Sequence, residues 1–148
     1  MQKENTSKTW KRFVDELETA SNKVDIDFYE PLDWIKSSIE KIEEKEFSSY
    51  IITGPMPEPN TLNQKIDVNI LVGKMVYGFS IYANRKTFFC SPLIGIIQYT
   101  EETENGFIKA TLHYGSLGAG FFLMDSEANS AKLREFANKI LDLAWGSR

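Results

Sequence analysis

Few residues in this chain of 148 have side chains suited to catalysis. His113 is the only histidine, and it alternates with Lys109 and Thr111 on the polar face of a predicted strand over residues 107–114. An imidazole without a nucleophile or a second histidine in a motif supports neither a catalytic triad nor a zinc site. Cys90 is the only cysteine and lies in an aromatic strand, where we expect a small buried hydrophobe rather than a nucleophile.

Three further stretches have compositions that could hold an ion or a phosphate. Asp25 and Asp27 could form a carboxylate pair, but acidic residues on a short edge strand more often protect a sheet from aggregation. The glycine-rich stretch 115–120 lacks the Lys-Ser/Thr pair of a P-loop and precedes a strand, so it predicts a turn. The acidic residues within 101–104 lack the spacing of a calcium loop and are expected at a hairpin tip. We therefore expect no catalytic residue, no metal and no cofactor, in a protein that is not an enzyme.

Composition and charge exclude several classes of partner. The formal net charge is -4, and residues 1–50 carry 8 Lys/Arg against 12 Asp/Glu. Because a protein that binds phosphate backbones normally has a basic face, we expect no nucleic-acid partner. No apolar run is long enough for a membrane span and the start lacks a signal peptide, so we expect no integral membrane contact. A cytoplasmic location is the default, and the single cysteine suits it.

Helical spacing of apolar residues predicts two helices before the β-structure. The first covers residues 7–20, and the second begins near Pro31 and ends near residue 45. Between them, residues 24–29 alternate apolar side chains with aspartates, which predicts a short half-buried strand.

Nearly everything from residue 47 to residue 124 is predicted to be β-structure. Strands are predicted over residues 47–53, 66–72, 77–81, 87–90, 93–99, 107–114 and 121–124. Three prolines within residues 54–60 predict a loop, and Asn105-Gly106 is the strongest hairpin signal in the chain.

A C-terminal helix from residue 125 or 126 to Trp145 organises the predicted fold. Its apolar stripe consists of Leu133, Phe136, Ala137, Ile140, Leu141 and Ala144. An isolated helix of this length is marginal in water, so the stripe must pack against the sheet. The predicted fold class is α+β in a single domain of residues 1–148: an antiparallel meander of about six or seven strands, capped by the C-terminal helix and preceded by two helices.

The strand sequences DVNILVG, YGFSIYAN, KTFFCS and PLIGIIQY, followed by FIKATLHY, GFFLMDS and AKLREFANKIL, resemble the pleckstrin-homology superfold. Their sequence pattern is most similar to that of its phosphotyrosine-binding (PTB) branch, and bacterial pleckstrin-like domains have the same pattern. The resemblance covers about residues 65–143 and depends on hydrophobic patterns. It implies a barrel or strongly bent sheet as the core, over residues 23–148, with residues 1–22 as a helical extension. No basic pair suited to a phosphotyrosine is present.

The resemblance implies a non-catalytic binding module for a peptide or protein partner. An extended peptide would add to the edge of the strand 93–99 and lie against the C-terminal helix. The strand side of that groove would be lined by Ile94, Ile96 and Gln98, and the helix side by Phe136 with Lys132 or Lys139. A residue in the middle of an apolar stripe is usually buried, so the favoured alternative is that Phe136 belongs to the core. A second copy of the chain, giving a homodimer or a larger assembly, is an alternative partner.

A second hypothesis is a small enzyme or small-molecule carrier with an apolar pocket between a curved sheet and the helix. The aromatic residues that would line this pocket are Tyr77, Phe79, Phe88, Phe121 and Phe122. For the protein to be an enzyme, His113 would have to turn inward beside an acid, and the strand register predicts that it points outward.

Overall fold

The structure is a computed structural model that describes residues 2–24, 26–39, 42, 47, 49–57, 64–115 and 119–146, with side chains from residue 9 onward. The helices are α1 (Gln2–Lys23), α2 (Tyr29–Ser38) and α3 (Ser130–Trp145), with a 3-10 turn at Glu127–Asn129 before α3. The strands are β1 (Ser49–Pro57), β2 (Gln64–Val72), β3 (Met75–Tyr82), β4 (Lys86–Pro92), β5 (Ile96–Glu104), β6 (Phe107–Tyr114) and β7 (Gly120–Ser126). The predicted α+β class is confirmed.

The strands form two antiparallel sheets. One sheet has the order β1-β2-β3-β4 and the other has the order β5-β6-β7. The chain passes from the first sheet to the second through a corner at residues 93–95. The two sheets are not closed into a barrel.

The four-stranded sheet is covered on both faces, which explains why β2 is almost entirely buried. Its outer face packs against α1 and α2, and its inner face packs against the three-stranded sheet and α3. Alternate residues of one strand therefore enter different clusters: Val68 lies in the outer cluster and Leu71 in the inner one. Phe13 and Leu17 of α1 are fully buried in the outer cluster, so this helix is part of the core.

The predicted strand over residues 24–29 is wrong. The amides of Val24 and Ile26 both donate to the Ser21 carbonyl, at 3.2 and 3.1 Å, and the Tyr29 amide donates to Asp27 Oδ1 at 3.0 Å. The segment is a link between two helices whose apolar side chains pack against the outer cluster without pairing with a strand. The proposed Asp25 and Asp27 pair lies partly outside the described residues.

The second helix ends at Ser38, earlier than the predicted residue 45. Ile39 is extended, with φ -120° and ψ 97°, while its amide still donates to the Ile35 carbonyl at 3.0 Å. Ile39 and Ile42 are nevertheless buried. The apolar spacing therefore predicts the burial of these two side chains correctly, and Ile42 has a 3-10 helical conformation. Residues 40–41 and 43–46 lie outside the described residues.

The first strand runs from Ser49 to Pro57, whereas residues 47–53 were predicted as strand and residues 54–60 as a loop. Pairing with β2 shifts register between Thr53 and Met56, and the Gly54–Pro55 peptide bond within this bulge is cis. A bulge leaves residues unpaired, so it accommodates a proline that has no N–H to donate. Residues 58–60 lie outside the described part of the chain.

The hairpin at Asn105-Gly106 is confirmed, with φ of 54° and 84° at these two residues. The acidic residues within 101–104, predicted at the hairpin tip, lie in β5 instead. The C-terminal helix is confirmed as well, and its stripe from Leu133 to Leu141 is buried against both sheets. Among the described residues, no helix combines the length and apolarity needed to cross a bilayer.

Candidate binding edge on strand β5

Strand β5 is the outermost strand of the three-stranded sheet. It pairs with β6 from Ile96, opposite Tyr114, to Glu104, opposite Phe107. Within the described ranges no strand pairs with its other side. Because an antiparallel strand points half of its N–H and C=O groups away from its neighbour, β5 presents an unpaired backbone edge.

The corner before β5 determines where this edge begins. Leu93 is fully buried and its amide donates to the Lys74 carbonyl at 2.9 Å, while Gly95 has a φ of +105° that L side chains rarely adopt. The predicted strand over 93–99 is therefore wrong at its start, because the chain turns at residues 93–95 before it becomes extended. It is also too short, since pairing continues to Glu104.

Side chains along β5 change from apolar to acidic. Ile97 near its start and Ile94 in the corner are each 65% exposed. Toward the hairpin, the exposed side chains include Glu102 and Glu104. The edge therefore combines backbone hydrogen-bonding groups with an apolar end and an acidic end.

Two side chains of α3 connect this helix to β5. The indole Nε1 of Trp145 donates to the Ile96 carbonyl at 2.6 Å. The guanidinium Nε of Arg134 donates to Glu101 Oε1 at 3.0 Å. These contacts fix the helix beside the strand, so a segment that adds to β5 would lie next to α3.

The Glu101 carboxylate already accepts hydrogen bonds from two other side chains of the protein. Its Oε2 accepts a hydrogen bond from the Tyr99 hydroxyl at 2.5 Å. This bond, together with Arg134, lowers the pKa of Glu101, while burial and the carboxylate raise the pKa of Tyr99 well above its ordinary value. Glu101 is therefore an ionised structural group, and Glu102 and Glu104 are the carboxylates available to a partner.

The helix residues predicted for the groove lie on the opposite side of α3, toward β1. Lys132, Phe136 and Lys139 line a groove of about 200 Å³ between α1, β1 and α3. Phe136 is only 3% exposed and belongs to the inner cluster, as its alternative interpretation predicted. Lys139 Nζ donates to Ser49 Oγ at 3.3 Å and lies 3.8 Å from Glu135.

Arg12 and Glu16 of helix α1 line one side of this second groove. Arg12 Nε donates to the Tyr50 hydroxyl at 3.0 Å, and its guanidinium lies 5.5 Å from the centre of the same ring. Burial, with a hydrogen bond to Glu16, raises the pKa of Tyr50 to about 12, and the hydrogen bond to Tyr50 raises the pKa of Arg12. The β1 side of α3 is thus occupied by the chain's own side chains.

The six residues predicted for one groove fall in four settings. Gln98 is exposed on β5, Ile94 is exposed in the corner, and Ile96 is 3% exposed in the core. The other three lie beyond α3 as described. A register shift between Ile96 and Gln98 leaves Gln98 exposed, although simple alternation would place it on the same face as the buried Ile96.

His113 and Cys90 lie on different sheets, His113 on β6 and Cys90 on β4. His113 lies on the polar face as predicted, with Nε2 2.9 Å from Thr100 Oγ1. Cys90 is exposed, so the prediction of a buried thiol is wrong; it lies on β4, an outermost strand whose side chains are largely open to solvent. In the part of the chain that the structure describes, no group of three His, Cys, Asp or Glu residues could hold a metal ion.

The structure divides the five aromatic residues of the pocket hypothesis: Phe79, Phe121 and Phe122 line a cleft between the two sheets, and Tyr77 and Phe88 are not among its lining residues. Phe88 contacts Phe79 and Tyr77 on the outer side of the four-stranded sheet, with ring centroids 5.0 and 6.4 Å apart. Phe121 lies in the inner cluster, and the neighbouring Phe122 is 45% exposed. Nothing in this arrangement favours an apolar pocket between the sheet and α3.

Comparisons with known proteins were made against family models, curated proteins and solved structures, and none of the three found a match. The function is therefore inferred from the contacts of this chain alone.

Proposed function

We propose that this protein is a non-catalytic binding module that holds an extended segment of a partner protein along the open edge of β5. The observation that carries the proposal is the unpaired side of this strand, along which side chains from Ile97 to Glu104 are largely exposed. In β-strand addition, main-chain hydrogen bonds supply affinity and neighbouring side chains supply selectivity. The Trp145 and Arg134 contacts hold α3 next to this edge.

We also propose a pleckstrin-like architecture. It is supported by seven antiparallel strands followed by one C-terminal helix, the order of elements that the resemblance implies. In the PTB branch, the peptide adds to the strand that corresponds to β5 and lies next to the capping helix. Helices α1 and α2 are an addition to that plan, since they cover the outer face of the four-stranded sheet.

The side chains of the edge select the chemistry of the partner. Ile97 and Ile94 favour an apolar side chain at one end of the incoming segment. Glu102 and Glu104 favour Lys or Arg at the other end. The net charge of -4 disfavours a second copy of this chain relative to a basic segment, because like-charged molecules repel.

The compartment is part of the proposal. Cys90 is a free and exposed thiol. Thiols stay reduced in the cytosol, whereas oxidising compartments favour disulfides. We therefore propose that the module acts in the cytoplasm.

The test is a selection of displayed random peptides on the immobilised protein, followed by titration of an enriched peptide into ¹⁵N-labelled protein. We expect enriched sequences to carry an apolar residue several positions from Lys or Arg. We expect amide shifts concentrated in residues 96–104 and small shifts in β1. Shifts centred on β1, or no enrichment, would refute the proposal.

Two charge reversals provide the matched comparison. Glu102→Lys combined with Glu104→Lys should lower the affinity for the selected peptide about three- to tenfold, because charges at the rim of an interface contribute a few tenths to one kcal/mol each. Asp15→Lys with Glu18→Lys changes the net charge by the same amount at two exposed positions of α1 and should leave affinity unchanged. Sedimentation must show a monomer; a dimer with β5 at its interface would make a second copy the occupant and contradict a basic peptide partner.

A further inference from the structure

The inner face of the four-stranded sheet has two unlike halves. Beneath α3 it is apolar, with Ile51, Leu71 and Val76 in the inner cluster. Farther along the strands it becomes polar and borders a cleft of about 530 Å³ between the two sheets. The cleft residues on which the argument depends are Lys65, Asp67, Asn69, Ser80, Phe89 and Phe121.

The charges in this cleft cancel each other. Asp67 is 9% exposed, and its Oδ1 accepts a hydrogen bond from the Ser80 hydroxyl at 2.6 Å. Its Oδ2 lies 3.1 Å from Lys65 Nζ. Both carboxylate oxygens and the ammonium are therefore engaged, so the cleft offers no free charge to an ionic ligand and suits a neutral molecule.

Asn69 supplies an acceptor that lacks a partner. Its side chain is 4% exposed, and Oδ1 has no hydrogen-bond partner among the described residues. Buried polar groups in folded proteins are nearly always paired, because leaving one unpaired is unfavourable. An N–H or O–H donor that enters the cleft would satisfy this oxygen.

Two aromatic rings, those of Phe89 and Phe121, line the same cleft as this acceptor. Asn69 pairs with Gly78 across the sheet, and Gly78 pairs with Phe89 on β4. A Cβ at Gly78 would collide with the Phe89 ring, so the glycine lets that ring lie over the strand. The Phe89 ring centroid is 5.4 Å from that of Phe121 on the opposite sheet, with 39° between the planes. Phe121 is buried and Phe89 is 37% exposed, so the flat face of Phe89 is the aromatic surface that a planar ligand can contact.

We propose that this cleft is a binding site for a small, neutral, planar N–H or O–H donor. The donor group bonds to Asn69 Oδ1, and the ring packs against Phe89 and Phe121. The cleft volume lies within the range of roughly 300–1,000 Å³ that is typical of small-molecule sites. The site uses the space between the sheets, not the β5 edge, so the protein has a ligand site in addition to its proposed peptide site.

Indole and 1-methylindole test the proposal, because they share a ring system and differ in the N–H donor. Each is titrated into the ¹⁵N-labelled full chain. We expect indole to shift the amides of Asn69, Ser80 and Phe89, and to bind about three- to tenfold more tightly than 1-methylindole, the range for one hydrogen bond to a buried acceptor. Equal binding of the two probes, shifts elsewhere, or no shifts up to the solubility limit would overturn the proposal.

Three variants locate the two parts of the site. Asn69→Leu should abolish the preference for indole, so that the two probes bind with about equal affinity. Phe89→Ala should weaken the binding of both probes. Phe88→Ala is the matched control, since Phe88 is the neighbouring ring on the other face of β4 and is 44% exposed against 37% for Phe89; it should leave both affinities unchanged. A preference for indole that survives in Asn69→Leu, or equal effects of the two alanine variants, would contradict the site. Because the wild-type comparison needs no variant, the test holds even if Asn69→Leu does not fold.

Discussion

Strands β1 and β5 both flank α3, yet they meet different neighbours. On the β1 side, α1 lies across the strand, and Arg12, Tyr50 and Lys139 form hydrogen bonds within the chain. On the β5 side, α3 makes two hydrogen-bonded contacts and the outer strand edge stays open. The difference shows that the N-terminal helix covers one flank of α3, whereas the edge proposed to bind a partner, on the other flank, is not covered by a described strand.

The largest expected effect is on stability, where substitution of Phe136 in α3 should cost much more than substitution of the exposed Ile97 in β5. Phe136→Ala should lower the free energy of unfolding by about 3–5 kcal/mol, because it removes a buried ring from the inner cluster. Ile97→Ala should change it by less than about 0.5 kcal/mol, because that side chain is exposed. Urea denaturation measures both values. Similar values for the two variants would mean that Phe136 is not a core residue.

A smaller effect is expected where α3 is tied to the start of β5. Trp145→Phe keeps an aromatic ring but removes the N–H that donates to the Ile96 carbonyl, so it should cost about 1 kcal/mol. Hydrogen exchange should become faster in the amides of β5 than in those of β1. Equal acceleration in both strands would show that the bond does not act locally on the edge.

The Glu101 contacts predict a pH dependence confined to the β5 side. The pKa of Glu101 is lowered from its ordinary value of 4.5 in the folded protein. Its contribution to stability is therefore complete above that ordinary value and is lost as the pH falls through the lowered folded pKa. Urea midpoints from pH 7 to pH 3 should fall more in the wild type than in Glu101→Gln, by up to about 1 kcal/mol in unfolding free energy. Parallel pH profiles would argue against this carboxylate as a structural group.

The smallest effect is expected on the β1 side. Lys139→Met removes an exposed ammonium whose contacts are Ser49 Oγ at 3.3 Å and Glu135 at 3.8 Å. Such surface contacts contribute little, so stability should change by less than about 0.5 kcal/mol and peptide affinity should not change. A clear loss of peptide affinity would move the binding surface to the β1 flank.

Elements with strong local signals were predictable from the sequence. The stripe of α3, the strand β2 and the Asn105-Gly106 turn each depend on neighbours within a few residues, and all three are confirmed. The segment 24–29 misled the prediction because burial imposes apolar spacing even where the backbone is irregular.

The site depended on features that no local pattern encodes. The Gly95 corner and the register shift after Ile96 decide which β5 side chains are exposed, and both depend on how the two sheets meet. The position of α1 against β1 decides which flank of α3 is filled. Asn69 occupies the position of a solvent-facing residue in an alternating strand, yet the second sheet buries it.

The most direct test of the account is a set of intermolecular NOEs between a selected peptide and the labelled protein. Strand addition at the open edge predicts backbone NOEs from the peptide to residues between Ile97 and Thr103, with none to β1. NOEs to β1 and α1, with β5 unaffected, would contradict the assignment of β5 as the binding edge.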